Sequence, residues 1–121
     1  MRKPAPSSTP IILNPSTFAL SSAAQKPTGA SGQLQASREL WSSPDNVVSV
    51  GMWECGVGTF TAAREGYAEI CQIASGSATV TPTGEASFEL TPGSILVTPN
   101  GWTGVWAVHE KIRKMYVLYQ G

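Results

Sequence analysis

From Val47 onward the apolar residues fall in short runs rich in Val, Ile, Thr, Tyr, Phe and Trp, punctuated by Gly, Pro and Asn. Apolar and polar positions alternating with a period of two mark a strand with one buried face, and turn residues recurring at short intervals mark an antiparallel barrel or sandwich. The pattern predicts strands over 47–54, 59–63, 68–74, 77–82, 86–90, 94–98, 104–108 and 111–119, with no convincing helix. Turns are expected at Ser75-Gly76, Thr83-Gly84, Pro92-Gly93 and Asn100-Gly101, where glycine takes positive φ without a steric penalty. Alternation places Glu69, Cys71 and Ile73 on one face of their strand and Gly104, Trp106 and Val108 on one face of theirs, with His109 opposite Trp106. The last strand is apolar on both faces, Met115, Val117 and Tyr119 on one and Tyr116 and Leu118 on the other. That implies burial both inside the barrel and against something outside it, which a homodimer would supply.

Upstream the texture differs. Residues 1–36 are rich in Pro, Ser, Thr, Ala and Gly, with apolar islands only at 10–13 and 18–20, too little to form a core alone. They are expected to form an arm, flexible or laid on a partner's surface, and the islands could also add an edge strand. The barrel is expected over 37–121.

Length and charge narrow the classes. A chain of 121 residues supports one core. Charged residues make up only 13% against 41% hydrophobic, a thinly charged surface of which part suits a partner. Formal net charge is zero, which argues against nucleic acid and against an anionic membrane surface. No apolar run is long enough to cross a bilayer, and Pro4, Pro6, Pro10 and Pro15 break up any secretory leader, so the expected compartment is the cytoplasm. Cys55 and Cys71 read as buried thiols rather than a disulfide scaffold.

Two stretches carry a resemblance. EICQIASG at 69–76 and GSILVTPNG at 93–101 resemble the two motifs of the cupin superfamily, with Gly58, Glu69 and Gly76 matching the skeleton of the first and Gly93, Pro99 and Gly101 that of the second. The wider strings WECGVGTF, GYAEICQIASGSATVT and GWTGVWAVHEKIRKMYVL resemble small single-domain cupins grouped with the cupin domain of (S)-ureidoglycine aminohydrolase. The resemblance implies an all-β, double-stranded β-helix, the cupin jelly-roll barrel, with its site inside. The motif histidines, however, should fall at Ala63 and Glu65, or at Ala62 and Arg64, and the last at Gly104; of the usual ligands only Glu69 is present. Transition metals of the Fe, Ni or Zn kind are held by imidazoles with a carboxylate, so no metal ligands and no cofactor are expected.

Glu69 is the key candidate. A carboxylate inside a barrel needs a cation, a hydrogen-bond donor or protonation; it is either a general acid or base with a pKa raised by burial, an anchor for an amine or hydroxyl, or a relic ligand paired with a basic neighbour. Glu65 is a second catalytic candidate in one motif alignment, and a solvent-exposed loop residue otherwise. Arg64 can clamp an anion at the cavity mouth or pair with Glu65. Cys71 is a core thiol, or a nucleophile if a base lowers its pKa. Trp106 either fills the vacated space or walls a ligand. Trp102 is placed at the mouth or on another subunit, and Trp53 in core or interface. Either Arg113 or Lys114 can reach Glu69, depending on register; Lys114 and Cys71 are counted with Arg64, Glu69 and Trp106 in the ligand-binding set.

Three functions stay open on this reading. One is a metal-free module binding a small polar metabolite. The second is a hydrolase or isomerase of a small nitrogenous or sugar-like compound, as the ureidoglycine resemblance would imply. The third is a structural subunit with a plugged cavity.

Overall fold

The computed structural model describes residues 9–20, 26–28 and 33–121, and in them every regular element is a strand. These are β1 (Lys26–Thr28), β2 (Gln33–Ser42), β3 (Val48–Cys55), β4 (Gly58–Ala63), β5 (Ala68–Pro82), β6 (Phe88–Leu90), β7 (Ile95–Thr98) and β8 (Thr103–Tyr119). All pairings are antiparallel, in the order β1-β2-β3-β8-β5-β6, with β4 also on β8 and β7 also on β5. The expected all-β jelly roll is what the chain adopts.

The spine is the β5–β8 ribbon, which pairs from Ala68↔Tyr119 to Pro82↔Gly104. At its middle the register shifts three times between Ile73 and Ala78. Bulges add residues on one strand and bend it, and here they also reverse which positions point inward. Before them Glu69, Cys71 and Ile73 are buried; after them Ala78, Val80 and Pro82 are. Gly76 makes this bend feasible: its φ is 82°, and a Cβ would collide with the Lys111 carbonyl oxygen across the ribbon. The expectation of a turn at Ser75-Gly76, and of two strands on either side, is therefore corrected to one bulged strand. The same holds for the break expected between 108 and 111. The turns at Thr83-Gly84, Pro92-Gly93 and Asn100-Gly101 are present, each with its glycine at positive φ.

The inward residues of β3, β5, β6, β7 and β8 meet in one cluster of Cys55, Cys71, Ile73, Ala78, Val80, Leu90, Leu96, Trp106, Val108 and Ile112, with Phe60, Trp53, Trp102 and Tyr116 packed on it. Trp106 is the largest side chain fully buried, and an aromatic of that size contributes on the order of 2–3 kcal/mol by leaving water.

β2 starts at Gln33 and so crosses the boundary expected at residue 36. It pairs with β3 from Gln35↔Cys55 to Ser42↔Ser49, with an irregularity between Glu39 and Trp41. Of the expected arm, residues 1–8, 21–25 and 29–32 lie outside the described residues. The segment 9–20 lies against the outer side of β8: Arg113 donates to the carbonyl oxygens of Pro15 and Phe18, and Arg38 sits 5.3 Å over the Phe18 ring. Ile11, Leu13 and Pro15 line a groove of about 510 Å³ together with Trp41, Val50 and Met115. Part of the outer apolar face of β8 is thus met by the chain's own N-terminal segment. No helix among the described residues is long and apolar enough to cross a membrane.

Candidate functional site

Five strands and one loop wall a partly open cavity of about 270 Å³. β2 contributes Gln35 and Ser37, β3 Trp53, β4 Phe60 and Ala62, the loop after it Arg64 and Tyr67, β5 Glu69, and β8 Trp106, Lys114, Tyr116 and Leu118. Their place follows from register. Trp53 faces Lys114 across β3–β8, and Phe60 faces Trp106 across β4–β8; cross-strand partners share a face of the sheet. The neighbouring pair Glu54↔Arg113 faces outward, where Glu54 binds Arg113 at 2.7 Å and Lys111 at 2.7 Å.

Glu69 sits at the centre, 7% exposed. Lys114 Nζ donates to its Oε1 at 2.9 Å and Arg64 Nη2 to the same oxygen at 3.1 Å. Arg64 and Lys114 are as deeply buried, at 7% and 5% exposure. Arg64 is fixed at several points. Its main chain pairs with the 99–102 turn, the N–H donating to the Trp102 carbonyl at 2.8 Å and the carbonyl accepting from Gly101 at 2.6 Å. Its Nε donates to Thr98 Oγ1 at 3.0 Å, and its guanidinium lies 5.7 Å from the Trp102 ring centre and 5.9 Å from that of Tyr67.

Lys114 is held by two indoles, its Nζ 4.5 Å from the ring centre of Trp53 and 4.8 Å from that of Trp106. Both contacts are cation–π in kind, and they gain strength where water is excluded. Trp53 is itself oriented by donating from Nε1 to Gln35 Oε1 at 2.8 Å. Trp53, Phe60 and Trp106 form an aromatic wall with ring centres 6.0 Å apart, the Phe60–Trp106 pair stacked and the other two edge-on. Trp106 Nε1 is the one buried side-chain polar atom with no hydrogen-bond partner among the described residues.

Burial alone drives Glu69 toward its protonated form, but the charges and hydrogen bonds of Lys114 and Arg64 together outweigh it and hold the carboxyl below its ordinary 4.5. The expectation of a pKa raised by burial is thereby corrected: Glu69 is a fixed carboxylate, suited to anchoring. Cys71 is 1% exposed inside the hydrophobic cluster and is not part of the cavity wall. Burial pushes its thiol up from the ordinary 9.0, despite the opposing pull of Lys114, so it stays protonated and unreactive at neutral pH. Glu65 is exposed and lies outside the cavity. The motif alignment that turned it inward is replaced by the one that turns Ala62 and Arg64 inward, since those two line the cavity.

Of the sequence candidates, then, the fold brings together Arg64, Glu69, Trp106 and Lys114, and leaves Glu65 and Cys71 aside. Register settles the Arg113/Lys114 alternative: Lys114 faces in and Arg113 out. The tryptophan read as core or interface, Trp53, is a wall of the site, as are Phe60, Tyr67 and Tyr116. His109 is on the outer surface, 2.6 Å from Thr79 Oγ1 and 3.9 Å from Glu89.

The fold family's usual metal does not fit this donor set. The three positions that would carry imidazoles hold Ala62, Arg64 and Gly104, and the remaining carboxylate is already bound by two cations. A divalent ion beside Glu69 would be repelled by Arg64 and Lys114. Among the described residues no group of three or more His, Cys, Asp or Glu could hold a metal ion.

Comparison with known proteins agrees with this architecture. The EutQ protein of Clostridium difficile superposes with a TM-score of 0.70 at 22% identity, over 85% of this chain and 81% of that one. Ectoine synthase of P. lautus superposes with a TM-score of 0.65 at 17% identity, over 71% of this chain and 64% of that one. A DUF861-family protein of Thermotoga maritima does so with a TM-score of 0.51 at 29% identity, over 54% of this chain and 73% of that one. No curated protein matches the sequence. The model of the EutQ-like cupin domain matches residues 42–116, more than half of the chain, and the protein belongs to that family.

Proposed function

We propose that the protein binds a small polar metabolite inside its barrel, without a resident transition metal. The observation that carries this reading is the buried Glu69 carboxylate, fixed by Arg64 and Lys114 at the wall of an aromatic-lined cavity of about 270 Å³. A concave apolar site with a few convergent polar groups is the usual form of a small-molecule pocket. Trp106 does not plug it, which speaks against a purely structural subunit. A homodimer belongs to the same reading. Ile70, Ile95 and Val97 stand 44%, 68% and 56% exposed on the paired strands β5 and β7, an apolar surface that a second copy would cover.

The alternative is an enzyme, a ureidoglycine aminohydrolase-like hydrolase or isomerase, with the fold likeness to ectoine synthase as a second pointer toward catalysis. Against it, none of the carboxyl and thiol candidates read from the sequence is poised for proton transfer: Glu69 is held ionised with a lowered pKa, Cys71 is a protonated core thiol, and Glu65 is outside the cavity.

The test is a thermal-shift screen of small polar metabolites on the wild type and on Ala62→Trp, which fills the cavity from β4. Compounds that raise the wild-type Tm are expected to lose that effect in the variant. A wild type that responds to no compound, or shifts that survive Ala62→Trp unchanged, would overturn the reading.

A further inference from the structure

Resting on the binding reading above, we infer that the cavity's ligand is a small monocarboxylate with a flat apolar body. The cavity wall carries two cations, Arg64 and Lys114, and one anion, Glu69. All three are more than nine-tenths buried. Glu69 compensates one cation and leaves one positive charge in a low-dielectric site, where an uncompensated charge is costly. A ligand bearing a single negative charge completes the balance, and a dication or an amine adds to the imbalance.

The donors point the same way. The two hydrogen bonds to Glu69 both end on Oε1, so Arg64 and Lys114 converge from two sides on one spot. The guanidinium spends Nε on Thr98 and one Nη2 hydrogen on Glu69, and its Nη1 makes only a long 3.4 Å contact to the Ala63 carbonyl. Planar N–H groups remain for an incoming carboxylate, the anion whose geometry a guanidinium fork matches. A residual charge of one suits a carboxylate better than a phosphate dianion. Oε2 of Glu69 has no donor among the described residues, leaving an acceptor for a hydroxyl or amide N–H on the same ligand.

The rest of the wall sets the body. Trp53, Phe60 and Trp106 present faces and edges 6.0 Å apart at ring centres, the geometry that takes a planar or apolar group against it. Trp106 also carries the buried indole N–H without a partner, a donor that a ligand acceptor would satisfy after a small side-chain shift.

Three isosteric molecules differing in charge test the assignment on the wild-type protein: benzoate, benzamide and benzylamine, each titrated while the tryptophan fluorescence is read. Benzoate is expected to bind at least about tenfold more tightly than either of the others, and to weaken about tenfold in Arg64→Gln. Because Arg64→Gln can also loosen the fold, the comparison among the three molecules on the wild type decides by itself. Benzamide or benzylamine binding as tightly as benzoate overturns the monocarboxylate assignment and leaves the binding reading standing. So does silence from all three when a compound of the metabolite screen binds. Silence from all three and from the screen overturns both.

Discussion

Lys114 Nζ and Glu69 Oε1 stand 2.9 Å apart across the β5–β8 ribbon, a buried ion pair where a cupin ordinarily places a metal and its carboxylate ligand. Buried pairs are costly to assemble, and breaking one by removing a single partner leaves a charge stranded. Glu69→Gln strands two cations. It is expected to lower unfolding free energy by about 3–5 kcal/mol, and the double variant Glu69→Gln/Lys114→Met to lose less than the sum of its singles, measured by denaturant unfolding. Additive losses would mean that the two groups do not act as a pair.

Stability should depend on acid in a definite window. The folded pKa of Glu69 lies below its ordinary 4.5, burial being outweighed by Lys114 and Arg64, and that of Glu54 is also lowered, burial being outweighed by Lys111 and Arg113. A depressed carboxylate binds fewer protons folded than unfolded, so its contribution is present above the unfolded value and is lost as pH falls through the folded one. Thermal unfolding is expected to be insensitive to these groups at neutral pH and to weaken progressively below about pH 4.5. In Glu69→Gln the acid slope should be shallower than in the wild type. An unchanged slope would show that Glu69 is not held ionised.

The bulge in β5 makes a paired prediction. Gly76 (φ 82°) and Gly84 (φ 75°) share a backbone conformation that disfavours side chains, but a Cβ at Gly76 strikes the Lys111 main chain while one at Gly84 meets nothing within 4 Å. Gly84→Ala is expected to cost about 1 kcal/mol, and Gly76→Ala more than about 3 kcal/mol, in chemical denaturation. Equal costs would mean that the close approach at the bulge is relieved without penalty.

Arg113 ties the N-terminal segment to the barrel through the Pro15 and Phe18 carbonyls while binding Glu54. Hydrogen bonds from charged donors contribute about 1.5–3 kcal/mol. Arg113→Met should therefore release residues 9–20, and limited proteolysis is expected to cut there at least about tenfold faster than in the wild type while the barrel stays resistant. Cleavage at the wild-type rate would show that the arm is held by its apolar contacts alone.

Much of this was legible from residue spacing. Period-two alternation located the strand faces of Glu69 and Trp106, and Asn100-Gly101 and Pro92-Gly93 announced their turns. The bulge was not legible, because Ser75-Gly76 has the composition of a turn and only the carbonyl of Lys111, distant in sequence, shows that the strand continues through it. β2 was missed for a different reason. Its inward positions Gln33, Gln35 and Ser37 are all polar, the last two facing the cavity, and the buried Ala36, on the opposite face across from Glu54, carries little apolar signal. Trp53 looked like core because a tryptophan beside a glycine in a strand reads as packing; its role emerges only from the register that sets it against Lys114. The same register separates Lys114 from Arg113, adjacent residues with opposite fates that no charge pattern distinguishes.

The central claim is that an arginine and a lysine, rather than a metal, surround Glu69 and ready the barrel for a small ligand. Native mass spectrometry of the freshly purified protein, paired with elemental analysis, tests it most directly, because oligomer, metal and any retained molecule are read from one sample. The expected result is a dimer free of stoichiometric transition metal, carrying a small acid that dissociates on unfolding. One equivalent of iron, nickel or zinc per chain, lost in Glu69→Gln, would contradict the account.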